Sequence, residues 1–557
     1  MFKSTIKIFF FLFLFLIKNA YANNFAISTS HPIATKVGKN ILHNGGSAID
    51  AVIGVQMVLN LVEPQSSGIG GGGFLLYFDK KNSKLSFYDG RETAPNNIKK
   101  EFFLNEFGDQ KKFYEIAVGG QAIGVPGLLS MLEIAHKDHG LLQWEELFTP
   151  AIKLSENGFK ISSRLHKLIK RDSYLYLFPE SKKYFYNKNK KYIKLIPKMK
   201  DEIDPKKKNQ ILKNPKFGET LKIIAKKKSK GFYEGAIAKE MVNKIKKTHI
   251  KKGVLELEDL KNYKAKKRSP LCGKYRKFRV CSAAPPSAGG FSILQILGIM
   301  EEFDLSKKNI NENIHLIIEA SKYSYNDRYR YLGDPDFSNI KINNFLEKEY
   351  LKKISSKIKN DKQVKYNIYK NSFFIPKSTT HFSIIDKYGN VASVTSSIEN
   401  AFGSRLMANG FLLNNQLSDF NFKIENDLYK NNIIEANKKP LSSMSPTIIF
   451  DENDNVKMVI GSPGGKSIIM YVVKTIIAVL DWKMNIQEAV DFPNFSISNN
   501  KVIIEKNSDK KLKKYLMYKG HEIVEKNLTS GLNGFEIKNK TIYGAADKRR
   551  SGLVLYN

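Results

Sequence analysis

Residues 377–403 constrain the fold of this chain more than any other stretch. Two runs in which apolar and polar residues alternate, 381–385 and 391–397, flank the sequence DKYGN at 386–390. Such alternation around a Gly/Asn/Asp cluster predicts a β-hairpin, because successive side chains of a strand point to opposite faces. We therefore expect two paired strands, with Ser378, Thr379 and Thr380 directly upstream of the first.

The hydroxyl of Thr379 is a candidate nucleophile. A threonine hydroxyl reacts poorly unless a base lies beside it, and one solution is the residue's own free α-amino group. The unperturbed pKa of that amine is about 7.7–8.0, so it can accept a proton near neutral pH. The amine exists only after cleavage between Ser378 and Thr379. Taken alone, these residues fit an ordinary strand better than a catalytic site, because threonine favours β-structure.

Four motifs change that balance: TTHFSIIDKYGN (379–390), FGSRLMANGFLLNNQLSDF (402–420), KKPLSSMSPTIIF (438–450) and GSPGG (461–465). In order and approximate spacing they resemble the γ-glutamyltransferases, which are self-processing N-terminal-nucleophile enzymes also called γ-glutamyltranspeptidases or glutathione hydrolases. The resemblance implies a four-layer αββα sandwich. It also implies that one precursor is cut into a large subunit, 23–378, and a small catalytic subunit, 379–557, which form one domain together.

The resemblance implies the catalytic residues. Thr379 would act as nucleophile, with its own amine as base, after cleavage at the Ser378–Thr379 bond. Ser397 stands where the family usually has a second threonine that supports the nucleophile. The backbone N–H groups of Gly464 and Gly465 would form the oxyanion hole.

The resemblance also implies a binding site for a γ-glutamyl head group. Arg91, from the motif RETAP, would pair with the substrate α-carboxylate, since a planar guanidinium binds a carboxylate in two places. Gln416 and Asp419 would hold the α-amino group with help from Glu399, where some family members carry asparagine. Ser442 and Ser443 would donate hydroxyl groups to the carboxylate.

The expected reaction is attack on the γ-amide of glutathione or a related γ-glutamyl compound. Water or an amino acid or dipeptide amine would then resolve the acyl-enzyme, without cofactor or metal. Two alternatives stay open. One is a β-lactam acylase acting on glutaryl or cephalosporin substrates on the same scaffold. The other is an exported, uncleaved and inactive binding protein.

Residues 1–22 have the pattern of a secretory signal peptide. Lys3 and Lys7 precede the apolar run 8–17, and Ala20-Tyr21-Ala22 fits a cleavage site. We expect export to the periplasm or secretion, and no stable membrane insertion once the peptide is removed. The formal charge of +37 would become +34 (37 − 3 lysines). The excess is scattered lysine without a nucleic-acid-binding signature, so we expect no nucleic-acid partner.

Two glycine-rich stretches resemble phosphate-binding loops, and we reject both. Residues 68–73 lead into a strand rather than a helix, so we expect these glycines to permit close backbone approach. GSPGGKS at 461–467 has three residues between its outer glycines, whereas a phosphate-binding loop needs four.

The remaining features are secondary. Cys272 and Cys281 flank a predicted turn and form either a disulfide or two buried thiols. His136 and His139 are expected at the surface, and the nine histidines are expected to form no metal-ligand constellation. Residues 173–215 are predicted to be an exposed excursion, and 421–437 occupy the position of a lid.

Overall fold

The computed structural model describes residues 25–187, 204–339, 341–364, 377–424, 428 and 430–557. The predicted signal peptide therefore lies outside the described residues, as do 365–376, directly before the predicted cleavage site, and part of the lid position. None of the described helices is both long and apolar enough to cross a bilayer.

The strands, in chain order, are β1 (Ala26–Thr29), β2 (Gly72–Asp79), β3 (Lys84–Gly90), β4 (Phe159–Lys160), β5 (Ile211–Leu212), β6 (Lys266–Arg268), β7 (Leu271–Tyr275), β8 (Phe278–Ser282), β9 (Lys377–Ile385), β10 (Val391–Asn400), β11 (Met407–Ala408), β12 (Phe411–Leu412), β13 (Thr447–Phe450), β14 (Val456–Gly461), β15 (Phe495–Ser498), β16 (Lys501–Glu505), β17 (Ile523–Lys526), β18 (Asn533–Lys538), β19 (Thr541–Ala546) and β20 (Leu553–Tyr556).

The α-helices, in chain order, are α1 (Pro32–His43), α2 (Ala48–Val62), α3 (Phe113–Ala117), α4 (Leu128–His139), α5 (Thr149–Asn157), α6 (Ser163–Arg171), α7 (Pro179–Phe185), α8 (Pro215–Lys227), α9 (Lys230–Tyr233), α10 (Gly235–Lys247), α11 (Leu257–Asn262), α12 (Ala288–Met300), α13 (Ile310–Tyr331), α14 (Lys348–Ser355), α15 (Ile468–Leu480), α16 (Ile486–Asp491) and α17 (Lys510–Tyr518).

Two antiparallel sheets form the centre of the molecule. The first has the order β20-β1-β9-β10-β2-β3-β6, and the second has the order β19-β18-β14-β13-β8-β7. Alternation along β2 shows how the layers stack. Phe74, Leu76 and Phe78 join the core shared with the second sheet, whereas Leu75 and Tyr77 pack with α1, α2 and α4. Helices α12, α13 and α15 pack with the second sheet. This arrangement confirms the predicted αββα sandwich.

The predicted hairpin is present as β9 and β10, joined by the turn at 386–390. One detail of the prediction is wrong. Strand β9 begins at Lys377, so Ser378 and Thr379 lie within the strand and not upstream of it. Pairing with β10 extends the strand, since Thr379 lies opposite Ser397. The candidate nucleophile is thus held near the start of an interior strand of the seven-stranded sheet.

Helix α2 supports the hairpin from the outer side of the first sheet. Ser47 and Asp50 form a capping box that fixes its first turn, and every residue of the helix is buried. The Gln56 side-chain oxygen accepts a hydrogen bond from Ser396 Oγ at 2.6 Å. A buried helix thus reaches the strand that carries Ser397.

The glycine-rich loop after α2 makes the close approach that its sequence predicts. A Cβ atom at Gly70 would lie 2.2 Å from the carbonyl oxygen of Leu412, and one at Gly71 would lie 2.2 Å from that of Ser397. Both obstacles are backbone atoms, so larger residues cannot be accommodated by a side-chain movement. Glycine is required where this loop meets β10.

Cys272 and Cys281 lie directly opposite each other on β7 and β8 and form a disulfide. Of the two possibilities left by the sequence, the structure selects the bridge. The turn between these strands contains Arg276 in the left-handed region, with a φ of 53°.

Two surface predictions are only partly right. Residues 188–203 of the predicted excursion lie outside the described residues, and His136 and His139 are partly exposed. In the excursion predicted to be exposed, Leu175, Phe178 and Phe185 are buried, and the ring of Phe185 packs edge-on against that of Phe402. These buried residues show no clear periodicity in the sequence, because they belong to short helical segments. His136 and His139 are also part of the packing, since His136 bonds the carbonyl of Leu142 and His139 bonds the hydroxyl of Tyr88.

Candidate active site

A cavity of about 350 Å³ opens beside the N-terminal half of β9. Its walls come from segments on both sides of residue 379. They include all ten residues that the sequence predicts for the site: Arg91, Thr379, Ser397, Glu399, Gln416, Asp419, Ser442, Ser443, Gly464 and Gly465. The fold thus brings together residues as far apart in sequence as Arg91 and Gly465. Their roles remain predictions.

A chain of hydrogen bonds joins the candidate nucleophile to the bond predicted to be cut. The hydroxyls of Thr379 and Ser397 lie 3.1 Å apart, and Ser397 Oγ donates to the carbonyl oxygen of Ser378 at 3.2 Å. The backbone N–H of Glu399 donates to Ser397 Oγ at 2.9 Å. Because the N–H of Glu399 holds the Ser397 oxygen in place, the Ser397 hydroxyl is oriented to polarise the Ser378 carbonyl.

Two further contacts position the two residues on either side of that bond, and the sequence did not indicate them. Arg550 Nη1 donates to the carbonyl oxygen of Thr379 at 2.8 Å, and the hydroxyls of Ser378 and Ser66 lie 3.0 Å apart. Arg550 is 171 residues from Thr379 in the chain, so no local pattern could relate the two. Both contacts hold the backbone at residues 378 and 379 in one position.

An irregularity in β10 directs Glu399 toward the cavity. The pairing register between β9 and β10 shifts between Ser397 and Asn400, and Glu399 has a φ of 79°. A non-glycine residue in this region costs free energy and is commonest at functional sites. The Asn415 side chain donates to Glu399 Oε2 at 2.7 Å and fixes the carboxylate. Asn415 is a third positioning residue that the sequence left without a role.

Arg91 and Asp419, which also line the cavity, form a nearly buried ion pair. Arg91 Nη2 donates to Asp419 Oδ2 at 2.8 Å, and Gln416 Nε2 donates to the same oxygen at 2.6 Å. Arg91 also donates to the carbonyl of Pro440 from Nε and to that of Leu441 from Nη2. These bonds occupy Nε and Nη2 and hold the guanidinium in one orientation.

Glu92 is a buried carboxyl group beside Arg91, and no sequence motif indicated a role for it. Its Oε2 lies 3.6 Å from Arg91 Nη1, and neither carboxyl oxygen has a hydrogen-bond partner among the described residues. Burial raises the pKa of Glu92 to about 7, although the neighbouring Arg91 opposes the shift. Glu92 is therefore largely protonated below neutral pH.

Two loops complete the cavity. Ser442 begins the first, where its Oγ accepts from the N–H of Met444 at 3.1 Å, and Ser443 follows it. The second follows β14, with Gly464 at a φ of 141° and Gly465 at 60°. A Cβ at Gly464 would lie 2.6 Å from the ring of Tyr471. The conformation that turns this backbone into the cavity therefore requires glycine at 464.

The expectation that the histidines form no cluster is wrong. His315 and His521 lie 2.8 Å apart, and with Glu319 they place three potential ligand atoms within 4.8 Å of one another. Helix α13 supplies His315 and Glu319 four residues apart on one face, and the fold brings His521 to them. The carboxylate of Glu319 is already paired with the ammonium of Lys322. The cluster lies outside the cavity described above.

Comparison with known proteins agrees with the geometry. The gamma-glutamyltranspeptidase family model matches residues 34–556. The glutathione hydrolase proenzyme of Bacillus subtilis strain 168 is 33% identical over 554 residues, covering 95% of this chain and 91% of that protein.

Two solved structures are similar. Helicobacter pylori gamma-glutamyltranspeptidase matches with a TM-score of 0.55 at 34% identity, covering 60% of this chain and 92% of that one. The cephalosporin acylase of Bacillus halodurans matches with a TM-score of 0.80 over 96% of both chains. Its 23% identity shows the shared fold alone. The chain belongs to the γ-glutamyltranspeptidase family, a family of hydrolase and transferase enzymes.

Proposed function

We propose that this chain cuts itself before Thr379 and then hydrolyses or transfers γ-glutamyl groups, with glutathione as one donor. The observation that carries the proposal is the hydrogen-bonded series Thr379 Oγ1, Ser397 Oγ and Ser378 O beside the same cavity as Arg91 and Asp419. A nucleophile, a polarised carbonyl and a site for an amino-acid head group then share one space.

In the proposed processing step, Thr379 Oγ1 attacks the carbonyl carbon of Ser378. The bond from that carbon to the Thr379 nitrogen breaks, and the hydroxyl proton passes to the nitrogen, which becomes a free amine. Water then hydrolyses the resulting ester, leaving a carboxylate on Ser378 and restoring the Thr379 hydroxyl. Ser397 would stabilise the charge that develops on the Ser378 oxygen.

In the proposed turnover step, the free amine of Thr379 takes the hydroxyl proton as the oxygen attacks the substrate γ-carbonyl. The backbone N–H groups of Gly464 and Gly465 stabilise the oxyanion. The leaving amine takes a proton, and a γ-glutamyl ester remains on Thr379. Water then releases glutamate, or the amine of an amino acid or dipeptide takes the group. No step needs a metal or cofactor.

The residues of the proposed head-group site favour a γ-glutamyl group over a glutaryl group. The two differ by the α-amino group, and Asp419, Glu399 and the Gln416 oxygen offer acceptors for an ammonium. Arg91, Ser442 and Ser443 would take the α-carboxylate. A β-lactam acylase that takes glutaryl substrates has no use for the acceptors, so it remains the weaker alternative.

The proposal extends to the route of the protein. Removal of residues 1–22 would release an exported enzyme beginning at Asn23, which acts in the periplasm or outside the cell. Large and small subunits would stay together as a heterodimer, without nucleic acid or a membrane anchor.

Intact-mass measurement with N-terminal sequencing tests the proposal first. We expect two chains, the smaller beginning at Thr379 with 179 residues (557 − 378). Thr379→Ala should remain whole and inactive. A wild-type chain that stays uncut under conditions that permit maturation would refute the mechanism and revive the inactive binding protein. Hydrolysis of γ-glutamyl-p-nitroanilide, compared with a glutaryl-cephalosporin, separates the transferase from the acylase.

A further inference from the structure

We infer that Arg328 forms a second anion subsite in the cavity, which binds the carboxylate of the leaving group and of the acceptor. This inference rests on the proposed function, in which Arg91, Ser442 and Ser443 already serve the carboxylate of the γ-glutamyl head. The subsite would select leaving groups and acceptors that are themselves amino acids or peptides.

The first observation is that the Arg328 guanidinium is buried and lacks hydrogen-bond partners among the described residues. Arg328 lies near the end of α13, lines the cavity and is only 4% exposed. Its Nε and Nη1 atoms are buried and have no hydrogen-bond partner among the described residues. A buried charge without a partner is costly, so such a group is normally completed by an ion or ligand of opposite charge.

The surroundings of Arg328 hold the guanidinium in a defined place. Its Cζ lies 5.9 Å from the ring centre of Tyr325 and 5.7 Å from that of Tyr329, which are contacts of the cation–π type. The hydroxyl of Tyr325 donates to the carbonyl of Lys466 at 2.7 Å. Among the described residues, Arg328 therefore has aromatic rings and no paired carboxylate around its guanidinium.

That last bond places Arg328 beside the loop of the proposed oxyanion hole, because Lys466 directly follows Gly464 and Gly465. The scissile carbonyl would lie against this loop, and the leaving group is the next part of the substrate. Arg91, which serves the head group, is instead bonded to Asp419 and to the carbonyl groups of Pro440 and Leu441. A substrate with one carboxylate at each end would therefore meet one guanidinium at each end.

The charge of the whole cavity agrees with a substrate that carries more than one negative charge. Five basic side chains and two carboxylates line it, namely Arg91, Lys111, Lys112, Arg328 and Lys466 against Glu399 and Asp419. Such an excess raises the local concentration of anions. Glutathione fits this requirement, since its cysteinylglycine leaving group ends in a carboxylate.

A matched pair of chromogenic donors tests the inference on the mature enzyme. γ-Glutamyl-3-carboxy-4-nitroanilide carries a carboxylate on its leaving group, and γ-glutamyl-4-nitroanilide does not. In Arg328→Gln we expect kcat/KM to fall about 10- to 100-fold for the carboxylated donor and for glutathione, the loss expected for a charge-assisted hydrogen bond. For the uncharged donor the change should stay within about 2-fold.

Acceptors give a second readout. With the uncharged donor, transfer to glycylglycine should weaken in Arg328→Gln, whereas transfer to glycylglycinamide should not. Arg330→Gln is the matched control, because Arg330 is exposed on the same helix. The melting temperature of Arg328→Gln should not fall, because the substitution removes an unpaired buried charge.

Equal losses for both nitroanilides would overturn the inference, since they would place Arg328 with the head group or in the general structure. No loss for either would also overturn it. A wild-type enzyme that turns over neither donor would instead refute the proposed γ-glutamyl activity. Failure of the subsite and failure of the function are thus distinguishable.

Discussion

Ser397 contacts both residues of the bond predicted to be cut. Its hydroxyl contacts the Thr379 hydroxyl and the Ser378 carbonyl, and it accepts from the N–H of Glu399. The family resemblance places threonine at this position, and serine retains the oxygen that makes all three contacts. For these contacts, the methyl group that serine lacks is therefore less important than the hydroxyl group.

We expect Ser397→Ala to slow self-cleavage by about 10- to 100-fold, because the developing oxyanion on Ser378 loses its donor. Ser397→Thr should cleave at about the wild-type rate. A time course of freshly produced precursor on denaturing gels measures both rates. Unchanged cleavage in Ser397→Ala would remove Ser397 from the processing step.

Glu92 gives the site a pH-dependent stability. The pKa of Glu92 is raised to about 7 in the folded protein from the ordinary value of 4.5. The contribution of Glu92 to the free energy of unfolding is therefore complete below about pH 4.5, and it is lost as the pH rises through 7. A shift of this size corresponds to about 3 kcal/mol. In Glu92→Gln this loss should disappear, so the variant should gain in melting temperature relative to wild type between pH 5 and pH 8.

Thermal unfolding across that pH range tests the prediction. Glu106→Gln is a suitable control, since Glu106 is exposed. A difference between Glu92→Gln and wild type that stays constant with pH would show that the Glu92 carboxyl group does not titrate in this range.

At the scale of elements, the packing of β2 and its preceding loop against β10 depends on the absence of a side chain at Gly71. Its Cβ would meet the Ser397 carbonyl oxygen at 2.2 Å, and this backbone atom cannot move without breaking the sheet. We expect Gly71→Ala to destabilise the protein by more than about 3 kcal/mol. Denaturant unfolding should be measured in the Thr379→Ala background, so that the chain stays whole.

Gly273→Ala provides the comparison. Its Cβ would meet only the Leu294 side chain, at 3.1 Å and beyond, and a side chain can adjust. The change in stability there should stay within about 1 kcal/mol. Similar costs at both glycines would show that the approach of the loop to β10 does not control stability.

The elements that sequence could predict are those with local signals. The β9–β10 hairpin and the close approach at Gly71 each follow from a few adjacent residues. Arg550, Ser66 and Asn415 had no such signal, because their roles exist only where distant segments meet. The buried aromatic residues of 175–185 were missed for a related reason, since short helical turns leave no period to detect.

At the scale of the whole molecule, the two predicted subunits are interleaved. In the first sheet, β10 and β20 follow the predicted cut, β9 contains it after its second residue, and β1, β2, β3 and β6 precede it. The second sheet likewise combines β7 and β8 with β13, β14, β18 and β19. Separating the chains would break strand pairs in both sheets.

We therefore expect the cleaved chains to elute together in gel filtration under native conditions and to separate only in denaturant. The edge strand β6 and the disulfide hairpin belong to the large chain, so reduction of the disulfide should not release the small one. If the cleaved chains dissociate under native conditions, the strand pairing that the two sheets share is not what holds the chains together.

The pairing of β1 with β20 brings the two ends of the described fold side by side. Ala26 lies opposite Tyr556, and the N–H of Asn557 donates to the carbonyl of Phe25 at 3.3 Å. A short glycine-serine linker could therefore join Asn557 to Phe25, and a circular permutant could begin with methionine followed by Thr379. Removal of that methionine would expose the threonine amine. The permutant has no Ser378–Thr379 bond, so self-cleavage would not be needed. We expect such a permutant to hydrolyse γ-glutamyl-p-nitroanilide without self-cleavage; a folded but inactive permutant would show that the act of cleavage shapes the site.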